Sequence, residues 1–130
     1  MSLSTFPRRQ LGAFSIAVGG LMHWIGLYQA YRADALGPWW VIAAFVFFGT
    51  AYPLSALDIL RGGRPGLWIA LFGPLVGSVL IFIGVAFPAT GLMVFIPGTL
   101  TDELTVIGFI TLVVEPIAVV LAAEMLVAKD

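Results

Sequence analysis

Four apolar runs of about 20 residues recur along the chain, each closed off by a short cluster of arginine, aspartate, glycine or proline. A helix needs about 20 mostly apolar residues to cross ~30 Å of hydrocarbon, so the pattern predicts four spanning helices. The first extends from about Leu11 to Tyr31, between Arg8-Arg9 and Arg32-Ala33-Asp34. The second covers about Pro38 to Leu60 and ends at Arg61-Gly62-Gly63-Arg64, which reads as a turn. Pro65 opens the third, about Gly66 to Phe87, and the fourth covers about Leu104 to Val127. Pro38 and Pro65 suit a first helical turn, where a missing N–H leaves no bond unmade. Membrane strands would alternate apolar and polar residues, and runs such as Val41 to Phe48 do not.

Composition narrows the class. Of the 130 residues, 61% are hydrophobic and 10% are charged, against about 25% charged in soluble domains. The same numbers exclude disorder, which needs low hydrophobicity and high charge. The fold expected is an all-α integral membrane protein with four transmembrane helices in a single domain, residues 1–130. A net charge of −1 offers no field for nucleic acid. The absence of cysteine excludes disulfides, thiolate chemistry and cysteine zinc sites.

Lys and Arg in short loops stay on the cytoplasmic side. Placing both termini cytoplasmic puts Arg8, Arg9, Arg61, Arg64 and Lys129 on that face and Arg32 opposite. The location expected is the inner (plasma) membrane, with Tyr28, Tyr31, Trp39 and Trp40 as an outer aromatic belt and Trp68 near the inner interface. Arg8-Arg9 before an apolar run also resembles a signal sequence, with Ala33-Asp34-Ala35 in the form of a cleavage site. The run exceeds the usual signal core and holds His23 and Trp24, which favours a retained span. The loop from Pro88 to Asp102 carries Leu92-Met93-Val94-Phe95-Ile96, too short to span and suited to the outer leaflet.

Helices pack in lipid through small residues and buried polar groups, and a helical projection gives each span one such stripe. The first aligns Gly12, Ser15, Gly19, His23, Gly26 and Ala30, and the second Ala44, Phe48, Ala51, Ser55 and Asp58. The third aligns Ala70, Gly73, Gly77 and Gly84; the fourth aligns Gly108, Thr111, Glu115, Ala118 and Ala122. These stripes predict a bundle and say little about activity.

Depth is more specific. At about 1.5 Å per residue, His23 lies roughly 12 Å and Glu115 roughly 16 Å below the outer ends of their helices. An ionisable residue at that depth is a candidate functional site, so Glu115 and His23 are the candidates for proton or substrate binding. Asp58, Ser55 and Thr111 are secondary polar candidates, Asp58 and Glu124 being placed for interfacial ion pairs. Pro53, Pro74 and Pro116 are candidate hinges or kinks, because prolines in membrane helices mark exposed backbone.

A bundle haem needs two axial ligands, and one chain offers one histidine. Zinc needs three or four ligands, and His23 with Glu115 supplies two. No serine–histidine–acid set or phosphate-binding glycine loop is present. No catalytic residue, metal or cofactor is therefore assigned, and an enzyme is disfavoured. The favoured expectation is a non-enzymatic packing or accessory subunit, embedded in lipid within a larger membrane complex or a homo-oligomer. The alternative is a small oligomeric proton-coupled transporter or proton pathway using Glu115 with His23.

Overall fold

The computed structural model describes residues 5–32, 34, 36, 38–90 and 102–128, without the side chains of 5, 6, 81, 85 and 102–108. Its helices are α1 (Thr5–Arg32), α2 (Trp39–Leu60), α3 (Pro65–Ala86) and α4 (Asp102–Val127), with a short 3-10 turn at Pro88–Thr90. All four are long and apolar enough to cross a membrane. The chain is thus an all-α, multi-pass membrane protein whose spans pack as a bundle. The apolar run Leu92 to Ile96 and Lys129 lie outside the described residues.

The helices form a ring in which α1 packs against α2 and α4, and α3 closes the other side between the same two neighbours. The start of α1, the α2–α3 turn and the end of α4 meet at one end of the bundle. There, Arg9 Nη1 donates to the Ile59 carbonyl at 3.1 Å, and Arg64 Nη2 donates to the Leu126 carbonyl at 3.2 Å. Arg8 pairs with Glu124 at 3.4 Å across helices, a different partner from the nearby Arg61 or Lys129 that the sequence suggests, and Asp58, also expected in an ion pair, makes none among the described residues. Carbonyls at a helix C-terminus lack intrahelical partners, and arginines from neighbouring elements supply them for α2 and α4.

The α2–α3 turn is built from its glycines. Gly62 has φ +86°, a left-handed backbone that favours glycine. Its N–H donates to Ile59 O at 3.0 Å and that of Gly63 to Asp58 O at 2.8 Å. These two bonds form a Schellman motif, which ends α2 and satisfies its last carbonyls. The Asp58 carboxylate then accepts the Gly66 N–H at 2.6 Å, capping the start of α3. Ser55 Oγ donates to Gly66 O, also at 2.6 Å. A Cβ on Gly63 would collide with the Asp58 carboxylate, and one on Gly66 would come within 2.5 Å of Ser55 O.

Each interior proline lies inside a continuous helix. The Pro53 ring sits in a notch on α1, 2.6 Å from where a Cβ on Gly20 would stand. Pro74 is fully buried, and its carbonyl accepts an added hydrogen bond from Ser78 Oγ at 2.9 Å.

The inward faces of α1 and α4 match the sequence projection. Gly12, Ser15, Gly19, Gly26 and Ala30 are buried on α1, as are Ala118 and Ala122 on α4. On α2 the face is rotated: the buried residues are Val41, Gly49, Tyr52, Ser55, Ala56 and Ile59. Ala44, Phe48 and Ala51, expected to lead inward, sit at the flank. Counting small residues picked the wrong edge because the interior position belongs to a large ring, Tyr52, received by glycines on the facing helices.

Asp58→Ala should lower thermal stability by about 1 kcal/mol, the usual scale of a lost N-cap. Arg61→Ala, at an exposed position in the same turn, should leave it within about 0.5 kcal/mol. Melting curves in one detergent compare them.

Candidate functional site

The mid-bundle layer is assembled from one position on each helix, with the Tyr52 ring of α2 at its centre and 1% exposed. A Cβ on Gly73 of α3 would lie 2.6 Å from Tyr52 Cε1 and 2.9 Å from its hydroxyl oxygen. On the opposite edge, a Cβ on Gly19 of α1 would lie 3.6 Å from Tyr52 Cδ2 and 3.6 Å from Glu115 Cγ of α4. Gly19 and Gly73 are thus the two notches that admit the ring. Glu115 reaches the layer beside it.

His23 stands one turn from Gly19 on α1, and its Nδ1 lies 2.6 Å from the Gly19 carbonyl. A carbonyl can only accept, so Nδ1 carries the proton and the neutral ring leaves its lone pair on Nε2. Three rings from α2 surround the imidazole. Phe45 and Tyr52 are edge-on at centroid distances of 5.4 Å each, and Phe48 is tilted at 5.8 Å. Such edge contacts fix the ring plane.

The two sequence candidates therefore share one layer and both adjoin Tyr52. Among the described residues they make no ion pair or hydrogen bond with each other. Glu115 is partly buried and makes no hydrogen bond or ion pair with any other described residue. It directly precedes Pro116, whose ring frees the Leu112 carbonyl one turn earlier.

The secondary candidates separate from this layer. Ser55 and Asp58 belong to the α2–α3 turn, where both bond Gly66. Thr111 lies one turn before Glu115, partly buried on the same face of α4. Gly26 and Gly84 are buried, whereas the surroundings of Gly108 lie outside the described residues. The Gly73–Gly77 pair divides, since Gly77 has nothing within 4 Å of a built Cβ. Among the described residues no group of three metal-ligating side chains converges.

Tyr52 was missed as a site residue. The available signal was its position, since tyrosine in a membrane helix favours the interfaces and Tyr52 stands well inside α2. A phenol at that depth needs a polar neighbour in the bundle. Gly20 and Gly49 were also missed; a Cβ on Gly49 would lie 2.7 Å from the Trp24 indole nitrogen.

No protein-family model, no curated protein and no solved structure matches this chain.

Gly73→Leu should destabilise the bundle by about 3 kcal/mol or prevent its assembly, because the added side chain meets the Tyr52 ring. Gly77→Leu, with open space before it, should change the melting temperature of the isolated chain little. Equal losses in both variants would contradict the position assigned to Tyr52.

Proposed function

We propose that this chain is a small proton-binding membrane protein in which Glu115 is the protonatable group and His23 its neighbour in a relay. The carrying observation is Glu115, whose Cγ stands beside Gly19 in the Tyr52 layer and whose side chain makes no hydrogen bond or ion pair among the described residues. A charged, unpaired carboxylate costs several kcal/mol inside a membrane. A group placed there gains a role by taking up and releasing a proton or by exchanging it for a cationic substrate. His23 presents its Nε2 lone pair in the same layer, and Tyr52 lies against both residues. Phenol, imidazole and carboxyl can all donate and accept protons.

The small-residue stripes favour this reading over a pure packing role. Gly12, Gly19, Gly20, Gly49 and Gly73 each face side chains of their own bundle, so they need no foreign helix. A second reading, a non-enzymatic accessory subunit of a complex or homo-oligomer, is favoured by Gly77 alone. That notch meets no described atom within 4 Å of a built Cβ and would admit a helix from another chain.

We further propose that both termini lie on the cytoplasmic side of a cell (plasma) membrane. The support is the gathering of Arg8, Arg9, Arg61 and Arg64 at one end of the bundle, as the positive-inside rule requires. Exposed Tyr28, Tyr31 and Trp39 mark the opposite end.

In proteoliposomes carrying a pH-sensitive dye, the wild-type chain should dissipate an imposed proton gradient. Glu115→Gln should slow this by about 100-fold, the scale of losing a positioned acid–base group. Tyr52→Phe, which keeps the ring, should slow it less while preserving the fold. Equal rates for wild type and Glu115→Gln in folded protein would refute the reading. Native mass spectrometry would then decide the accessory-subunit reading: stoichiometric foreign subunits, or copies separated by Gly77→Leu, would support it.

A further inference from the structure

The α2–α3 side of the bundle carries a groove of about 450 Å³, lined by Phe47, Phe48 and Ala51 of α2 and by Trp68, Phe72 and Val76 of α3, among others. All of its lining is apolar. An apolar groove on a membrane protein says nothing by itself about an occupant, because lipid bathes the whole face. Here the arginines at one end of the groove and its length identify one.

The two helices that form the groove join at Arg61-Gly62-Gly63-Arg64. Trp68 stands one turn of α3 beyond Arg64, and Val76 lies about 18 Å from Arg64 along the axis at 1.5 Å per residue. One leaflet contributes half of the ~30 Å hydrocarbon thickness. On α3 the groove therefore starts one turn from the basic loop and descends through about one leaflet, while its α2 wall, Phe47 to Ala51, lies deeper, about 15 Å or more from Arg61.

Charge at this end is net positive among the described residues, with Arg8, Arg9, Arg61 and Arg64 against Asp58 and Glu124. The Asp58 carboxylate is engaged by the Gly66 N–H, and Glu124 is paired with Arg8. Arg9 and Arg64 each spend a donor on a backbone carbonyl, which holds two guanidinium groups in place. Arg61, in the same turn as Arg64, is exposed. Each guanidinium has five N–H donors, and its planar fork matches phosphate oxygens. Two arginines on the turn that joins the groove's two helices, with Arg9 of α1 at the same end of the bundle, complement an anionic phospholipid.

We propose that this side of the protein binds one anionic phospholipid, its phosphate on Arg61 and Arg64 and one acyl chain in the α2–α3 groove. Trp68 and Phe72, stacked at 5.6 Å between centroids and 11° between planes, form the wall where the chain enters. The Arg64 guanidinium, already held on the Leu126 carbonyl, loses little freedom on binding, which favours a resident lipid over passing ones.

The test is thermal unfolding of the purified full chain in detergent, with phosphatidylglycerol or phosphatidylcholine of identical acyl chains added. A ligand that binds only the folded state raises the melting temperature. Phosphatidylglycerol should raise it several degrees more than phosphatidylcholine, and inorganic phosphate at equal concentration should not reproduce the rise. Arg61→Gln, at an exposed position, should reduce the phosphatidylglycerol response to the phosphatidylcholine level. Ala51→Phe should diminish it by filling the groove. Equal responses to the two lipids, or an undiminished preference in Arg61→Gln, would overturn the proposal. A full effect from inorganic phosphate would show a headgroup site without the groove, and a change of oligomeric state in Ala51→Phe would assign the groove to a second copy; either overturns it.

Discussion

The rest of this bundle depends on the seating of one aromatic ring between two glycines. Tyr52 projects from α2 into the space where α1, α3 and α4 converge, and it fits because Gly19 and Gly73 carry no Cβ. In lipid, burial of apolar surface gives helices no reason to prefer one another over acyl chains, so close fit and buried polar contacts must hold them. A large ring received by two notches provides that fit. It also fixes the rotation of α2 and brings the phenol beside His23 and Glu115, so the packing requirement creates the polar layer.

The two ends of the protein divide the work differently. At the arginine-rich end, unsatisfied helix-terminal groups are matched one by one: a Schellman turn closes α2, Asp58 caps α3, and Arg9 and Arg64 take the carbonyls of Ile59 and Leu126. Backbone groups left unpaired near the hydrocarbon are expensive, and this lacing removes them. The mid-bundle layer is the opposite case. There Pro116 frees the Leu112 carbonyl inside α4, and the Glu115 side chain makes no hydrogen bond or ion pair among the described residues. Polar side chains at the end tie helix termini together, whereas Glu115 in the central layer ties none.

Glycine serves several distinct purposes in this chain. Gly62 supplies a left-handed backbone, Gly63 and Gly66 make room for Asp58 and Ser55, and Gly20 receives the ring of Pro53. Gly19 and Gly73 admit Tyr52, while Gly77 faces open space. A spacing rule such as Gly-x-x-x-Gly cannot separate Gly73 from Gly77, because both lie on one helical stripe. What differs is the neighbour, which the spacing does not encode.

How much was legible in advance follows from the range of each interaction. Span lengths, the turn at Arg61 to Arg64 and the shared depth of His23 and Glu115 depend only on local residue order and on 1.5 Å per residue, and the sequence by itself determined them. The inward faces of α1 and α4 were also readable, since small residues there coincide with the interior. The rotation of α2 was not, because it rests on a tyrosine fitting glycines more than 20 positions away on either side. The tertiary structure alone decided that Tyr52 adjoins both candidates, and that Asp58 and Ser55 bond Gly66 in the turn. It also assigned Glu124 to Arg8. Each of these is a contact between helices, and helix periodicity carries no information about which neighbour will fill a notch.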